Sequence, residues 1–310
     1  MPSANVALIT CCTKRKRVSA KRSLRLHPRL TESASEFAAR WALALAETTP
    51  ESSANDLYAG RGFNEIRATA KLIPADIFIV SAGLGLAEGN SQVPAYDLTI
   101  SDGQDSLLPW LRHRGLTPAD WWTALTQTRG DSAPLAAAIR KRRSQCVLLS
   151  LPSTYLAFVQ RDLATLSEAE ASGLRIFTSP RGQTMVPAHL HQFVMPYDGR
   201  LEGTELAGTQ ADFPQRALSH FAAHVLAAGS TVDADVVNVT KALRGARRPV
   251  LPIRIKQTDE QIAKILRQNW QHKGGSSSAL LRYLRDEAKV QCEQGRFRLI
   301  WKQVGEEYAA

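Results

Sequence analysis

Four short apolar runs punctuate the chain before residue 180: Val6-Ala7-Leu8-Ile9-Thr10-Cys11, Ile77-Phe78-Ile79-Val80-Ser81, Cys146-Val147-Leu148-Leu149-Ser150 and Leu174-Arg175-Ile176-Phe177-Thr178. Continuous apolar runs of this length read as strands covered on both faces. Between them the apolar positions change period. Phe37, Trp41 and Leu45 recur at helical spacing, predicting a helix over 35–47. Further helices are expected at 63–72, 153–165 and 211–228, the last with Leu218, Phe221 and Val225 inward. Residues 104–142 read as helical pieces broken at Pro118 and near Pro134, and residues 82–86 as a glycine-rich loop. Strands alternating with helices predict an α/β fold, a mostly parallel sheet with helices on both faces.

The pattern changes near residue 245. Residues 245–256 are rich in Pro and Arg and read as a linker, leaving an α/β domain at 1–244 and a small helical module at 257–310. Ile262, Ile265 and Leu266 mark the module's first helix. Lys273-Gly274-Gly275 is a turn, and Ser276 caps a second helix with Leu280, Leu281 and Leu284 inward and Arg282 and Arg285 outward. Phe297, Ile300, Trp301 and Val304 fit a third helix, while the alternation Phe297, Leu299, Trp301 fits a wing strand. A helix-turn-helix or winged arrangement with a basic second helix is the usual one for DNA docking.

The chain has 310 residues, 44% of them hydrophobic, enough for a sizeable core. No run approaches the roughly 20 apolar residues of a membrane span, and the first residues lack a signal peptide's pattern. A cytoplasmic protein with no membrane partner is expected. Its four cysteines form no CxxC pair, so neither a zinc framework nor a disulfide scaffold is expected.

Charge changes the picture more than composition does. The net charge is +10, and residues 240–310 carry 15 basic against 7 acidic residues, leaving +2 for the preceding 239. Residues 14–29 hold eight basic residues (Lys14, Arg15, Lys16, Arg17, Lys21, Arg22, Arg25 and Arg29) and no acid. Two basic zones on a near-neutral body form the footprint of a polyanion partner, although a solvated basic surface kept for solubility has the same signature.

Ligands of open parallel sheets bind outside the carboxyl ends of the strands. The loops at residues 10–16, 81–97 and 150–155 leave such ends, bringing Cys12, Thr13, Ser81, Gly83, Gly85 and Ser150 into consideration as pocket residues. Gly83-x-Gly85 is not a dinucleotide fingerprint, because Glu88 stands where a third glycine is needed. The glycines instead fit close backbone approach to a planar or phosphorylated ligand. Tyr96-Asp97 sets a ring beside a carboxylate. A base can stack on the ring, and the carboxylate can orient water or stabilise a cationic sugar during N-glycosidic cleavage. Equally, Asp97 could cap a local turn while Tyr96 packs. Tyr197-Asp198 repeats the pair in a long loop with Arg181 and His189-x-His191, which supplies no third metal ligand. No Walker A or Gly-x-Ser-x-Gly pattern is present, and neither a metal nor a cofactor is expected.

Taken together, Thr10-Cys11-Cys12-Thr13-Lys14, Asp56-Leu57-Tyr58 with Phe63 and Arg67, Ser81-Ala82-Gly83-Leu84-Gly85-Leu86 and Pro94-x-Tyr96-Asp97-Leu98-Thr99 resemble a poorly characterised bacterial family distantly similar to the peroxide-stress DNA-binding proteins. The family's usual turn reads Ser-Ala-Lys-His-Gly-Leu, so Gly83 and Leu84 replace its Lys and His. Leu281-Arg282-x-Leu284-Arg285 and Cys292-Glu293-Gln294-x-Arg296-Phe297 are similar to a helical tail in some members. The resemblance spans about half the chain. Within it, the chain is similar to phage-defence DNA glycosylases, which excise glucosylated hydroxymethylcytosine and leave abasic sites. It implies a uracil-DNA-glycosylase-like fold with a base-flipping pocket at the strand ends and double-stranded, modified phage DNA as partner. On this reading Asp97 and Tyr96 are catalytic. Tyr58, Tyr197 and Asp198 join the pocket, and Lys14, Arg15, Lys16, Arg17, Lys21, Arg22, Arg181, Lys273, Arg282, Arg285 and Arg296 hold DNA. A non-enzymatic DNA-binding stress or regulatory protein, and a nucleoside hydrolase or deoxyribosyltransferase, are the alternatives.

Overall fold

The computed structural model describes residues 6–101, 106–248 and 253–309. Five strands form one sheet: β1 (Val6–Cys11), β2 (Ala75–Ser81), β3 (Gly85–Glu88), β4 (Cys146–Ser150) and β5 (Leu174–Phe177). Their order is β3-β2-β1-β4-β5, with β2, β1, β4 and β5 parallel and β3 antiparallel at the edge. Leu8 of β1 lies level with Ile77 of β2 and Leu148 of β4. All six residues of β1 are buried, which explains its unbroken apolar run.

Residues 82–86, expected as a loop, are instead the corner and start of a hairpin. Ser81 pairs with Gly85 and Val80 with Leu86. Gly85 has φ +65°, the left-handed conformation that closes a three-residue hairpin turn and that glycine adopts without strain. The antiparallel edge strand went unread because it is short and half glycine-flanked.

The longer helices of this unit are α1 (Ala34–Ala46), α2 (Arg61–Leu72), α3 (Pro118–Gln127), α4 (Pro134–Lys141), α5 (Ser153–Ala164), α6 (Phe213–His224) and α7 (Val232–Ala242). Prolines at the first turns of α3 and α4 start helices where the sequence marked breaks. A reciprocal cap fixes the start of α1: Ser33 Oγ accepts from Glu36 N at 3.2 Å while the Glu36 carboxylate accepts from Ser33 N at 2.7 Å. Helix α2 packs on α6, and α1, α3, α4 and α5 pack in a second group around the sheet. From β1 the chain runs outward to β2 and β3, then crosses to β4 and β5. The direction therefore switches between β1 and β4, where a crevice is expected at the strand ends.

Two compact units divide between Arg248 and Pro249, inside the stretch read as a linker; residues 249–252 lie outside the described residues. The second unit has its own core of Ile262, Leu266, Leu280, Leu284, Val290, Phe297, Ile300 and Val304. It contains α8 (Asp259–Asn269), α9 (Ser277–Arg282), which runs on through a π-turn at Tyr283–Glu287, and α10 (Gln294–Ala309). Ile255–Lys256 and Val290–Gln291 pair as short parallel strands, so the end of the stretch read as linker belongs to this unit. Residues 297–301 are helical rather than a wing, with Phe297, Ile300 and Val304 on the buried stripe. No helix among the described residues is long and apolar enough to cross a membrane.

Candidate functional site

Side chains from three strand ends and two helices meet at the switch point as a buried polar cluster. Ser81 Oγ shares a hydrogen bond of 2.6 Å with the Tyr96 hydroxyl, accepts from the Tyr58 hydroxyl at 3.3 Å and accepts from Leu84 N at 2.9 Å. The two tyrosine hydroxyls are 2.9 Å apart. Cys12 Sγ lies 2.9 Å from the hydroxyl of Tyr155, at the start of α5. Gln215 of α6 reaches in from the other side, its Nε2 donating to Thr10 Oγ1 at 3.3 Å and to the Ser150 carbonyl at 3.4 Å. Its Oε1 is buried with no hydrogen-bond partner among the described residues. Burial first, and then the Cys12 thiol, pushes the Tyr58, Tyr96 and Tyr155 phenols upward. They remain neutral hydroxyls at physiological pH, able to donate and accept. Burial likewise pushes the Cys11 thiol up, which removes it as a nucleophile.

Tyr96, read from sequence as a stacking ring, is only 1% exposed. Its ring lies edge-on to Trp41, with centroids 6.1 Å apart, and Lys16 Nζ sits 4.2 Å from its centroid. A Cβ on Gly83 would fall 2.7 Å from two Tyr96 ring carbons. The planar group that Gly83 approaches is therefore the protein's own tyrosine, not a ligand. Any side chain at position 83 would have to displace the Tyr96 ring or Trp41.

Asp97 follows directly, half-buried, its N–H donating to the Leu24 carbonyl at 2.8 Å. Its carboxylate makes no hydrogen bond or ion pair with the described residues. Leu24 belongs to the basic segment, so this bond ties the carboxylate's backbone to residues 14–25. Thr13 Oγ1 donates to the Arg15 and Ala59 carbonyls, both at 2.8 Å, and Arg17 N donates to the Leu57 carbonyl at 2.9 Å. These bonds lay the basic loop against Tyr58. Arg15, Lys16, Arg17, Gly60, Arg61 and Asn64 line an open cleft of about 680 Å³ there. Arg61, absent from the sequence expectations, pairs with Asp212 at 3.3 Å. Lys14 is exposed, Lys21 is spent on Glu51 at 2.8 Å, and Arg22 is exposed in a short 3-10 turn.

The second aromatic–carboxylate pair is a scaffold. Asp198 accepts from Arg200 N and Nε, both at 2.9 Å, capping the turn Gly199–Gly203. Burial raises its carboxyl, but the bonds and charge of Arg200, with Arg248, prevail and hold it below the usual range. Tyr197 is buried, with its hydroxyl 3.0 Å from His220 Nδ1. His189 and His191 each turn Nε2 to a separate backbone carbonyl, Leu166 at 2.8 Å and Val186 at 2.9 Å. Arg181 is exposed on the short helix Pro180–Gln183, where Gly182 N donates to Ser179 Oγ at 3.2 Å.

In the second unit Lys273 pairs with Glu287 at 3.3 Å and Arg296 with Asp259 at 2.6 Å, so both serve the unit's own fold. Arg285 donates to the Cys292 carbonyl at 2.8 Å, whereas Arg282 is exposed. Sequence reasoning passed over Gln215 and Arg61 because only tertiary packing brings them to the strand ends. Tyr155 stood at the end of the loop at residues 150–155 already marked, just inside α5. No protein-family model, no curated protein and no solved structure matches the chain.

Proposed function

We propose that the α/β unit is a DNA glycosylase that hydrolyses the N-glycosidic bond of a modified base, with glucosylated hydroxymethylcytosine of phage DNA as first candidate, and so serves anti-phage defence. The observation that supports this most is the cleft of about 680 Å³ lined by Arg15, Lys16 and Arg17. It adjoins the strand-end cluster of Ser81, Tyr58 and Tyr96, to which Lys16 is linked by its place over the Tyr96 ring. Guanidinium groups hold phosphates bidentately, and an enzyme that flips a base needs such a grip beside its pocket.

In this reading the half-buried Asp97 carboxylate is the reacting anion. A water oxygen bonds to the sugar C1′ as the C1′–N bond breaks. One water proton passes to Asp97, and the departing base keeps the bond pair and takes up a proton. Asp97 also offsets the positive charge that develops on the sugar. Tyr96 acts as a positioning residue, its hydroxyl pinned to Ser81 and Tyr58. The basic C-terminal unit adds DNA affinity. One observation favours the non-enzymatic reading: Ser81, Tyr58, Tyr96 and Tyr155 are at most 3% exposed, so the cluster itself is closed.

The test is incubation with DNA carrying glucosylated hydroxymethylcytosine and with unmodified DNA, then alkali and a denaturing gel. Breaks confined to the modified DNA are expected. Intact DNA in both, with binding seen by gel shift, would replace the glycosylase with a DNA-binding protein.

A further inference from the structure

The second unit holds a cleft that the helix-turn-helix expectation does not account for. An open cleft of about 720 Å³ lies beside α9 and α10, lined by Arg254, Arg282, Arg285, Asp286 and Arg298, with Trp301 and the edge of Phe297 at its base. Its four guanidinium groups fall into two kinds. Arg254 donates to the Arg285 carbonyl at 2.9 Å and pairs with Asp286 at 3.1 Å, and Arg285 is held by the Cys292 carbonyl. Arg282 and Arg298 are exposed and have no hydrogen bond or ion pair with the described residues. The floor is rigid. Trp301 donates its indole N–H to the Gly275 carbonyl at 2.9 Å and stacks on Trp270 at 6.1 Å and 27°.

A helix that reads duplex DNA must protrude into a major groove about 12 Å wide. Here Arg282 of α9 and Arg298 of α10 instead flank an open cleft with an aromatic ring at its base. A cationic hollow with an aromatic floor fits a flexible strand whose phosphates meet guanidinium groups while an unstacked base rests on the ring.

We propose that this cleft binds single-stranded DNA, with phosphates on Arg282 and Arg298 and a base against the half-buried Trp301. The inference rests on the reading that the partner is DNA, not on the chemistry at Asp97. Such a site suits an enzyme that extrudes nucleotides, because it can hold the locally opened strand.

The test uses the full chain and a fluorescent oligo(dT) of about 16 nucleotides, with a duplex of equal length beside it, in an anisotropy titration. Oligo(dT) should bind more tightly than the duplex. The double variant R282A/R298A should weaken oligo(dT) binding at least tenfold and lower the salt slope by about 1.4, two phosphates' worth. Lys264→Ala, which removes a charge from the exposed face of α8, should change it less than twofold. Tighter duplex binding, or equal losses in R282A/R298A and Lys264→Ala, would overturn the proposal. Base release by the same preparations separates the two readings. Release without oligo(dT) binding defeats this inference alone, whereas oligo(dT) binding without release defeats the glycosylase alone.

Discussion

Gly83→Ala sets two effects of opposite sign against each other, and the structure decides between them. The φ of Gly83 lies outside the left-handed region, so the backbone accepts alanine. On that ground alone the substitution would stabilise by about 0.4–1 kcal/mol, by restricting the unfolded chain. The new Cβ, however, would stand 2.7 Å from Tyr96 ring carbons and 3.1 Å from Trp41, against the 3.5–4.0 Å at which carbon atoms rest. Neither ring can yield freely. Tyr96 is held by Ser81 and Tyr58, and Trp41 donates its indole N–H to the Gly83 carbonyl at 2.7 Å. Overpacking of this kind costs about 1–3 kcal/mol, which outweighs the gain over nearly all of that range and leaves a net loss of up to about 2.6 kcal/mol. Urea unfolding followed by tryptophan fluorescence measures it, since Trp41, Trp110, Trp121 and Trp122 all lie in the α/β unit. Gly85→Ala is the comparator. It has open space, with only Thr126 within 4 Å, at 3.8 Å, and loses about 1 kcal/mol from its left-handed backbone alone. A Gly83→Ala protein as stable as the parent, or more so, would refute the packing argument and reopen Gly83 as a ligand contact.

Two further outcomes follow from buried charge. Arg175 and Asp235 form an ion pair at 2.7 Å, with side chains only 4% and 2% exposed. Arg175→Met should therefore cost about 3–5 kcal/mol, and adding Asp235→Leu should recover much of it in a urea double-mutant cycle. His220 has its pKa lowered by burial and then by His224, with Glu205 opposing. Its unfolded form binds protons more readily, so stability should fall as pH drops below about 6.5. Urea midpoints between about pH 5.5 and 7.5 should show a shallower dependence in His220→Gln.

The α/β order was legible because each inner strand is covered on both faces and reads as an unbroken apolar run. Pro118 and Pro134 marked true helix starts for the same local reason. What failed was context. Tyr96 beside Asp97 carries no mark showing whether its ring faces a ligand or Trp41. Gly83 looks the same in sequence whether it clears space for a base or for Tyr96. Helix α7 was unread, its buried faces reduced to residues such as Asp235 and Val239. The charge excess after residue 240 proved to be shared. Lys241, Arg244, Arg247 and Arg248 end the first unit, and in the second unit Lys273 and Arg296 are committed to internal pairs. Arg298, unmarked by any motif, became the exposed cation of a cleft only when α10 packed beside α9.

The most direct test of the central claim compares the parent with Asp97→Asn on DNA carrying glucosylated hydroxymethylcytosine, scoring free base released and DNA bound in the same samples. The account predicts base release by the parent, a loss of at least about 100-fold in Asp97→Asn, and unchanged binding and urea midpoint. Equal release by both proteins, or none by the parent, would contradict it.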